Sequence, residues 1–146
     1  MAQVSTFTPH VQEMLAAHPR KSFVTGDTLL ACIQACFDCQ QTCIACADAC
    51  LSESDVSSLL QCIRLNYDCA NVCEAAGKIL SRQTAFQTAI PRAVLDACIV
   101  ACRACGDECD KHAAQMAHCR VCADACRRCE QACAVLVNTF EPSASA

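Results

Sequence analysis

Eighteen cysteines in a chain of 146 residues are the groups that can do chemistry here. A thiolate can serve as nucleophile, redox group or soft metal ligand, and spacing decides among these roles. Six of them, Cys32, Cys36, Cys39, Cys43, Cys46 and Cys50, follow one another in steps of 4, 3, 4, 3 and 4. That is the a/d seam of a helix, the stripe normally filled by Leu or Ile and buried against neighbours. Cys62, Cys69 and Cys73 keep the same phase, with Leu59, Asn66, Ala76 and Leu80 in the remaining seam positions. Cys98, Cys102, Cys105 and Cys109 form a third stripe that continues through His112 and Met116. Cys119, Cys122, Cys126, Cys129 and Cys133 form a fourth, followed by Leu136 and Phe140.

A free cysteine is often just a small buried hydrophobe, but that does not account for 18 of them on the seams of four helices. Disulfides within a helix are excluded by reach. Cβ atoms four residues apart lie about 5–6 Å from each other, whereas a disulfide needs about 3.5–4.5 Å; bridges between helices stay open. A thiol enzyme needs one cysteine set apart by a base or an electropositive setting, and a repeated stripe sets none apart. No inward carboxylates paired with His suggest a di-iron centre.

Metal binding remains. Zinc takes four ligands in a closed tetrahedron, commonly from turns and loops, and iron–sulfur motifs also gather their cysteines in loops. A straight stripe offers two thiolates side by side, which suits the low coordination of Cu(I), a soft ion. Charge points the same way, because an uncompensated buried charge costs several kcal/mol. About one Cu(I) per thiolate leaves a neutral core, whereas four thiolates per zinc leave it strongly negative. Loading would release the thiol protons. Pairing at i, i+4 gives Cys32/Cys36, Cys39/Cys43, Cys46/Cys50, Cys69/Cys73, Cys98/Cys102, Cys105/Cys109, Cys122/Cys126 and Cys129/Cys133, leaving Cys62 and Cys119 over. Asn66, four residues after Cys62, reads either as an oxygen ligand completing a site or as a buried polar residue fixing register.

The elements that must carry these stripes are one short helix and four long ones. Thr8-Pro9 opens the short helix, which ends near His18-Pro19. Gly26-Asp27 introduces a segment running to about Leu51. Ser52, Glu53, Ser54 and Asp55 form a turn that caps the next helix, over residues 55–82. A third connection over residues 84–91 places Pro91 in a first turn, where proline is tolerated. The third long helix is expected to reach about Ala114, and a connection near residues 115–118 leads to a last helix ending about Phe140. Four inward stripes joined by short connections make an all-α, antiparallel four-helix bundle with a short extra N-terminal helix. The expected organisation is one cysteine-rich domain over residues 1–146. Its bundle spans about 27–140, a short helix and linker occupy 1–25, and 141–146 form a frayed tail.

The ends of such a bundle differ. One gathers Cys50, Cys62, Cys109, His112, Met116, His118 and Cys119, and the other Leu29, Leu80, Leu95, Leu136 and Phe140. Ions are expected to pass the first end, since the second is an apolar plug. His112 and His118 read as mouth ligands or as solvated helix-end residues, and Met116 as a ligand or a gap-filler.

A formal net charge of −4 and a pI near 5.4 exclude a basic nucleic-acid footprint. The first 25 residues carry neither a basic n-region with an apolar h-region nor a twin arginine, and no apolar run is expected to span a bilayer. The expected location, for a complete sequence, is therefore the cytosol, with an exported form whose leader has been removed as the alternative. In a reducing cytosol, cysteines read first as ligands.

The motifs CFDCQQTCIACADACL (residues 36–51), CIRLNYDCANVCEAAG (62–77) and HCRVCADACRRCEQAC (118–133) resemble the bacterial four-helix-bundle copper storage proteins, in particular their cytosolic branch. That resemblance implies a homotetramer of bundles, Cu(I) held mainly by CxxxC thiolates, mouth histidines matched by His112 and His118, and a role for Asn66. The function expected is therefore storage and detoxification of many Cu(I) ions, on the order of one per cysteine, without catalysis. A copper chaperone or donor to a target enzyme, or a zinc-thiolate protein, is the alternative. A shuttle needs only one or two ions at an exposed site.

Overall fold

The computed structural model describes residues 9–20 and 26–140, so the expectations placed on Thr8, the rest of the first eight residues and the tail at 141–146 lie outside the described residues. Among the described residues five α-helices follow in order: α1 (Pro9–Ala17), α2 (Gly26–Leu51), α3 (Leu60–Leu80), α4 (Ala89–Asp110) and α5 (Ala117–Thr139). No strand occurs among the described residues. Each long helix packs on two others, α2 and α4 both lying against α3 and α5, so the four close into a ring around one axis. Cross-helix contacts set the register. Cys62 meets Cys109, Cys69 meets Cys102 and Cys73 meets Cys98, so α3 and α4 run antiparallel. Cys32 meets Cys133, Cys36 meets Cys129 and Cys43 meets Cys122, giving the same sense to α2 and α5. Val11 and Leu15 of α1 pack against the core of this bundle.

All 18 cysteines are buried, and the leucines and Phe140 of the expected plug are buried with them. Phe86, from the α3–α4 connection, stacks at a tilt on Phe140 with ring centroids 5.8 Å apart and closes that end. Charged groups stay outside as ion pairs such as Arg64–Asp68, Arg103–Glu130 and Arg127 with Asp107 and Asp110. Pro91 is the third residue of α4, where the missing N–H costs no helical bond.

Three expectations need correction. The third long helix stops at Asp110, not Ala114. Residues 111–116 keep helix-like bonds, Lys111 N–H to the Glu108 carbonyl at 3.1 Å and Met116 N–H to that of His112 at 3.0 Å, so the periodicity survives while the helix has ended. Second, Asp55 does not cap an α-helix. It precedes a short 3₁₀ turn, Val56–Leu59, and its carboxylate accepts from the Ser57 hydroxyl at 2.8 Å. Third, residues 27–51 are long and apolar enough to cross a membrane by length and composition. That apolarity comes largely from six cysteines that line the bundle axis, with Gln34, Asp38, Gln41 and Asp48 carried on the same helix.

Close packing of α2 on α3 depends on Gly77. A Cβ there would lie 2.7 Å from the Phe37 ring, against the side chain's far end but within a helix–helix contact. Gly77→Ala should therefore destabilise the fold by about 1–3 kcal/mol, overpacking outweighing the better helix propensity of Ala. Urea denaturation of the reduced chain checks this, and a gain in stability would contradict it.

Candidate metal centre

The periodicity places sulfurs along each helix; the fold joins them across helices. Within helices, Cys39–Cys43 and Cys69–Cys73 lie 3.8 Å apart, Cys98–Cys102 3.9 Å and Cys129–Cys133 4.0 Å. Between helices the shortest contacts are of the same order: Cys73–Cys98 at 3.6 Å, and Cys32–Cys133, Cys62–Cys109 and Cys69–Cys102 at 3.7 Å. A bonded pair would stand at about 2.05 Å, so these are free thiols in contact. Cys62, left over by pairing along the helix, finds Cys109 across the bundle.

The contacts assemble groups of four with all sulfurs within 4.8 Å of one another: Cys36, Cys98, Cys129 and Cys133; Cys39, Cys69, Cys73 and Cys102; Cys39, Cys43, Cys69 and Cys126; Cys43, Cys105, Cys122 and Cys126. A four-sulfur group by itself also suits zinc, so the spacing argument against zinc weakens. Cys39, Cys43, Cys69 and Cys126 each belong to two groups, but the groups containing Cys36, Cys73 and Cys105 share no ligand and could all be filled by zinc at once, so geometry alone does not choose the metal. Charge favours Cu(I), since every four-thiolate zinc site would leave buried negative charge. Bridging thiolates and ions of low coordination use such an array fully.

Asn66 stands where the deep thiols meet those nearer the mouth. Its Oδ1 accepts from the Cys105 and Cys122 thiols at 3.1 Å and from Cys109 at 3.9 Å, and its Nδ2 donates to Cys62 Sγ at 3.7 Å. The residue is fully buried, and every buried side-chain N or O among the described residues has a partner. Register and ligation both remain compatible with that position.

At the mouth, Cys46, Cys50, Cys119 and His118 bring their ligand atoms within 4.8 Å. His118 Nδ1 lies 3.5 Å from Cys46 Sγ and 3.6 Å from Cys119 Sγ, while its Nε2 faces Glu53 Oε2 at 2.8 Å. Burial would lower the His118 pKa, but hydrogen bonds to Cys46 and Glu53 outweigh it and the value is raised. Cys50 is pushed up to about 11, chiefly by burial, and burial is the main cause that raises Cys119 as well. These two thiols therefore rest neutral in the empty chain.

The other mouth residues sit differently. His112 turns its Nε2 onto Glu108 at 3.1 Å, a carboxylate that Lys111 also holds at 3.1 Å. Burial raises the Glu108 pKa, yet these partners reverse the shift and keep it lowered. Met116 takes an extended backbone immediately before α5 and packs against the core. Glu53 was not legible as a site residue, since nothing in local spacing announces a carboxylate that reaches a histidine 65 positions away. Glu108, four residues before His112, carried a helical-spacing signal that the cysteine stripes overshadowed.

The family model for copper storage proteins matches residues 26–138. The chain is similar to the copper storage protein Ccsp of Streptomyces lividans loaded with 10 copper equivalents, at 50% identity over 88% of this chain and 98% of that one, with a TM-score of 0.86. It is 54% identical to a cytosolic copper storage protein of the same organism carrying five coppers, over 77% of this chain and 93% of that one, with a TM-score of 0.76. The copper-free copper storage protein 3 of Bacillus subtilis matches at 36% identity over 73% and 96%, with a TM-score of 0.62. No curated protein sequence matches.

Proposed function

Because the chain belongs to the copper storage protein family, we propose that its bundle is a store that takes up many Cu(I) ions and keeps them from reacting elsewhere. The observation that carries this is the continuous contact of buried thiols. It runs from Cys32 and Cys133 through Cys129, Cys73, Cys69, Cys39 and Cys43 to Cys122. A chaperone handling one or two ions at an exposed site has no use for that depth. Copper is cargo here, and the chain catalyses nothing.

Each Cu(I) that displaces one thiol proton leaves the charge unchanged, so the core is neutral as thiols when empty and neutral as copper thiolate when about one ion per cysteine is bound. The ligands in this proposal are the 18 cysteines, with Asn66 at the joint and His118, His112 and Met116 at the mouth. Ions enter beside His118, away from the plug of Leu29, Leu80, Leu95, Leu136 and Phe140. The proposal further takes residues 1–146 as one domain, the store as cytosolic and apart from membranes and nucleic acids, the assembly as a homotetramer, and the recipient as a cytosolic copper carrier. Supporting the cytosolic part is the similarity to a cytosolic copper storage protein.

The choice of metal is tested by competition. The reduced chain is first loaded with Zn²⁺ and then given Cu(I) without oxygen, with released zinc followed by a coloured indicator. Displacement of all bound zinc is expected, because Cu(I) thiolate leaves the buried core neutral where four thiolates per zinc leave it negative. Zinc held against excess Cu(I) would make this a zinc-thiolate protein.

A further inference from the structure

The thiol column leaves one mouth contact unused. Glu53 lies just past the end of α2, where its N–H donates to the Cys50 carbonyl at 3.2 Å. From there its carboxylate crosses to the start of α5 and accepts the Nε2–H of His118 at 2.8 Å, a charge-assisted geometry. Both side chains remain partly open to solvent, Glu53 at 35% and His118 at 24%. The ring therefore stands between water and the first thiols.

A histidine that ligates a metal through one nitrogen carries its proton on the other, and a carboxylate that accepts that proton is one of the common partners that fix the choice. Committing Nε2 to Glu53 leaves the Nδ1 lone pair pointing at Cys46 and Cys119, where it is 3.5 and 3.6 Å from their sulfurs. We propose that Glu53 is the positioning residue of copper entry: it fixes the His118 ring in the Nε2–H form, so that Nδ1 receives the incoming Cu(I) and passes it to the Cys46, Cys50 and Cys119 thiols. This rests on the storage function above. Glu108 plays no equivalent part at that site, because its carboxylate is taken by His112 and Lys111. A purely structural Glu53 would only tie the α2–α3 connection to α5.

Two readouts separate these roles. Nitrogen-15 NMR of the reduced, copper-free chain, at a pH where the His118 ring is neutral, should show a single Nε2–H tautomer, and Glu53→Ala should leave it mixed. Stopped-flow uptake of the first Cu(I) equivalents should slow by about 10–100-fold in Glu53→Ala, with the final copper content unchanged. The same substitution made in a His118→Ala background should slow uptake no further. An unaltered tautomer in Glu53→Ala, or equal slowing by Glu53→Ala with and without His118, would overturn the proposal. The NMR arm needs no copper, so a chain that failed to store copper would leave this test of Glu53 standing.

Discussion

Filling the reduced chain with Cu(I) should raise its unfolding temperature by tens of degrees. The empty core explains why. Its largest fully buried side chains are a few leucines, Ile33 and Asn66, while cysteines occupy the rest of the axis. Small thiols supply little of the apolar burial that leucines would provide in the same stripes, about 25 cal/mol per Å² removed from water. An ion that binds the folded chain at a thousandfold above its Kd adds about 4 kcal/mol. Each kcal/mol moves the transition of a chain this size by about 2–4 °C. Several filled groups together therefore dominate stability, even though unfolded cysteines also bind Cu(I) and take back part of the gain. Anaerobic calorimetry or circular dichroism with increasing copper checks this, and coincident transitions for empty and filled chains would contradict it.

The second large effect concerns which cysteine is lost. Cys73 touches sulfurs on three helices: Cys69 at 3.8 Å, Cys98 at 3.6 Å, Cys102 at 3.8 Å and Cys129 at 3.9 Å. Cys32 lies at the plug end of the array, meeting Cys133 at 3.7 Å. Cys73→Ser keeps the size and a hydrogen-bonding group but replaces a soft donor with a hard one. If thiolates are shared between ions, it should remove more than one tightly held copper. Cys32→Ser should remove no more than one. Metal counted per chain after a chelator wash decides the matter, and equal losses from the two variants would mean that the ions sit in separate, unshared pairs.

Much of this architecture was legible because buried stripes repeat. The 4-3-4-3-4 steps from Cys32 to Cys50 required a helix with one inward face, and four such stripes with an apolar cap at one end required a bundle. What local spacing could not supply was anything set by contact between helices. Cys62 has no cysteine partner on its own helix and meets Cys109 only once α3 and α4 are packed. Pairs along each helix suggested two thiolates per ion, whereas packing gathers four and shares them. The end of α4 was misplaced because the turn after Asp110 contains neither Gly nor Pro and keeps helix-like hydrogen bonds. Glu53 was read as part of a polar turn, and its contact with His118 depends on where α5 begins.

The measurement that bears most directly on the store is an anaerobic titration of the reduced, metal-free chain with Cu(I) against a competing chelator. Binding should continue until the copper count approaches the number of cysteines, 18 per chain, with proton release accompanying it. Saturation after one or two ions, leaving most thiols titratable, would contradict storage.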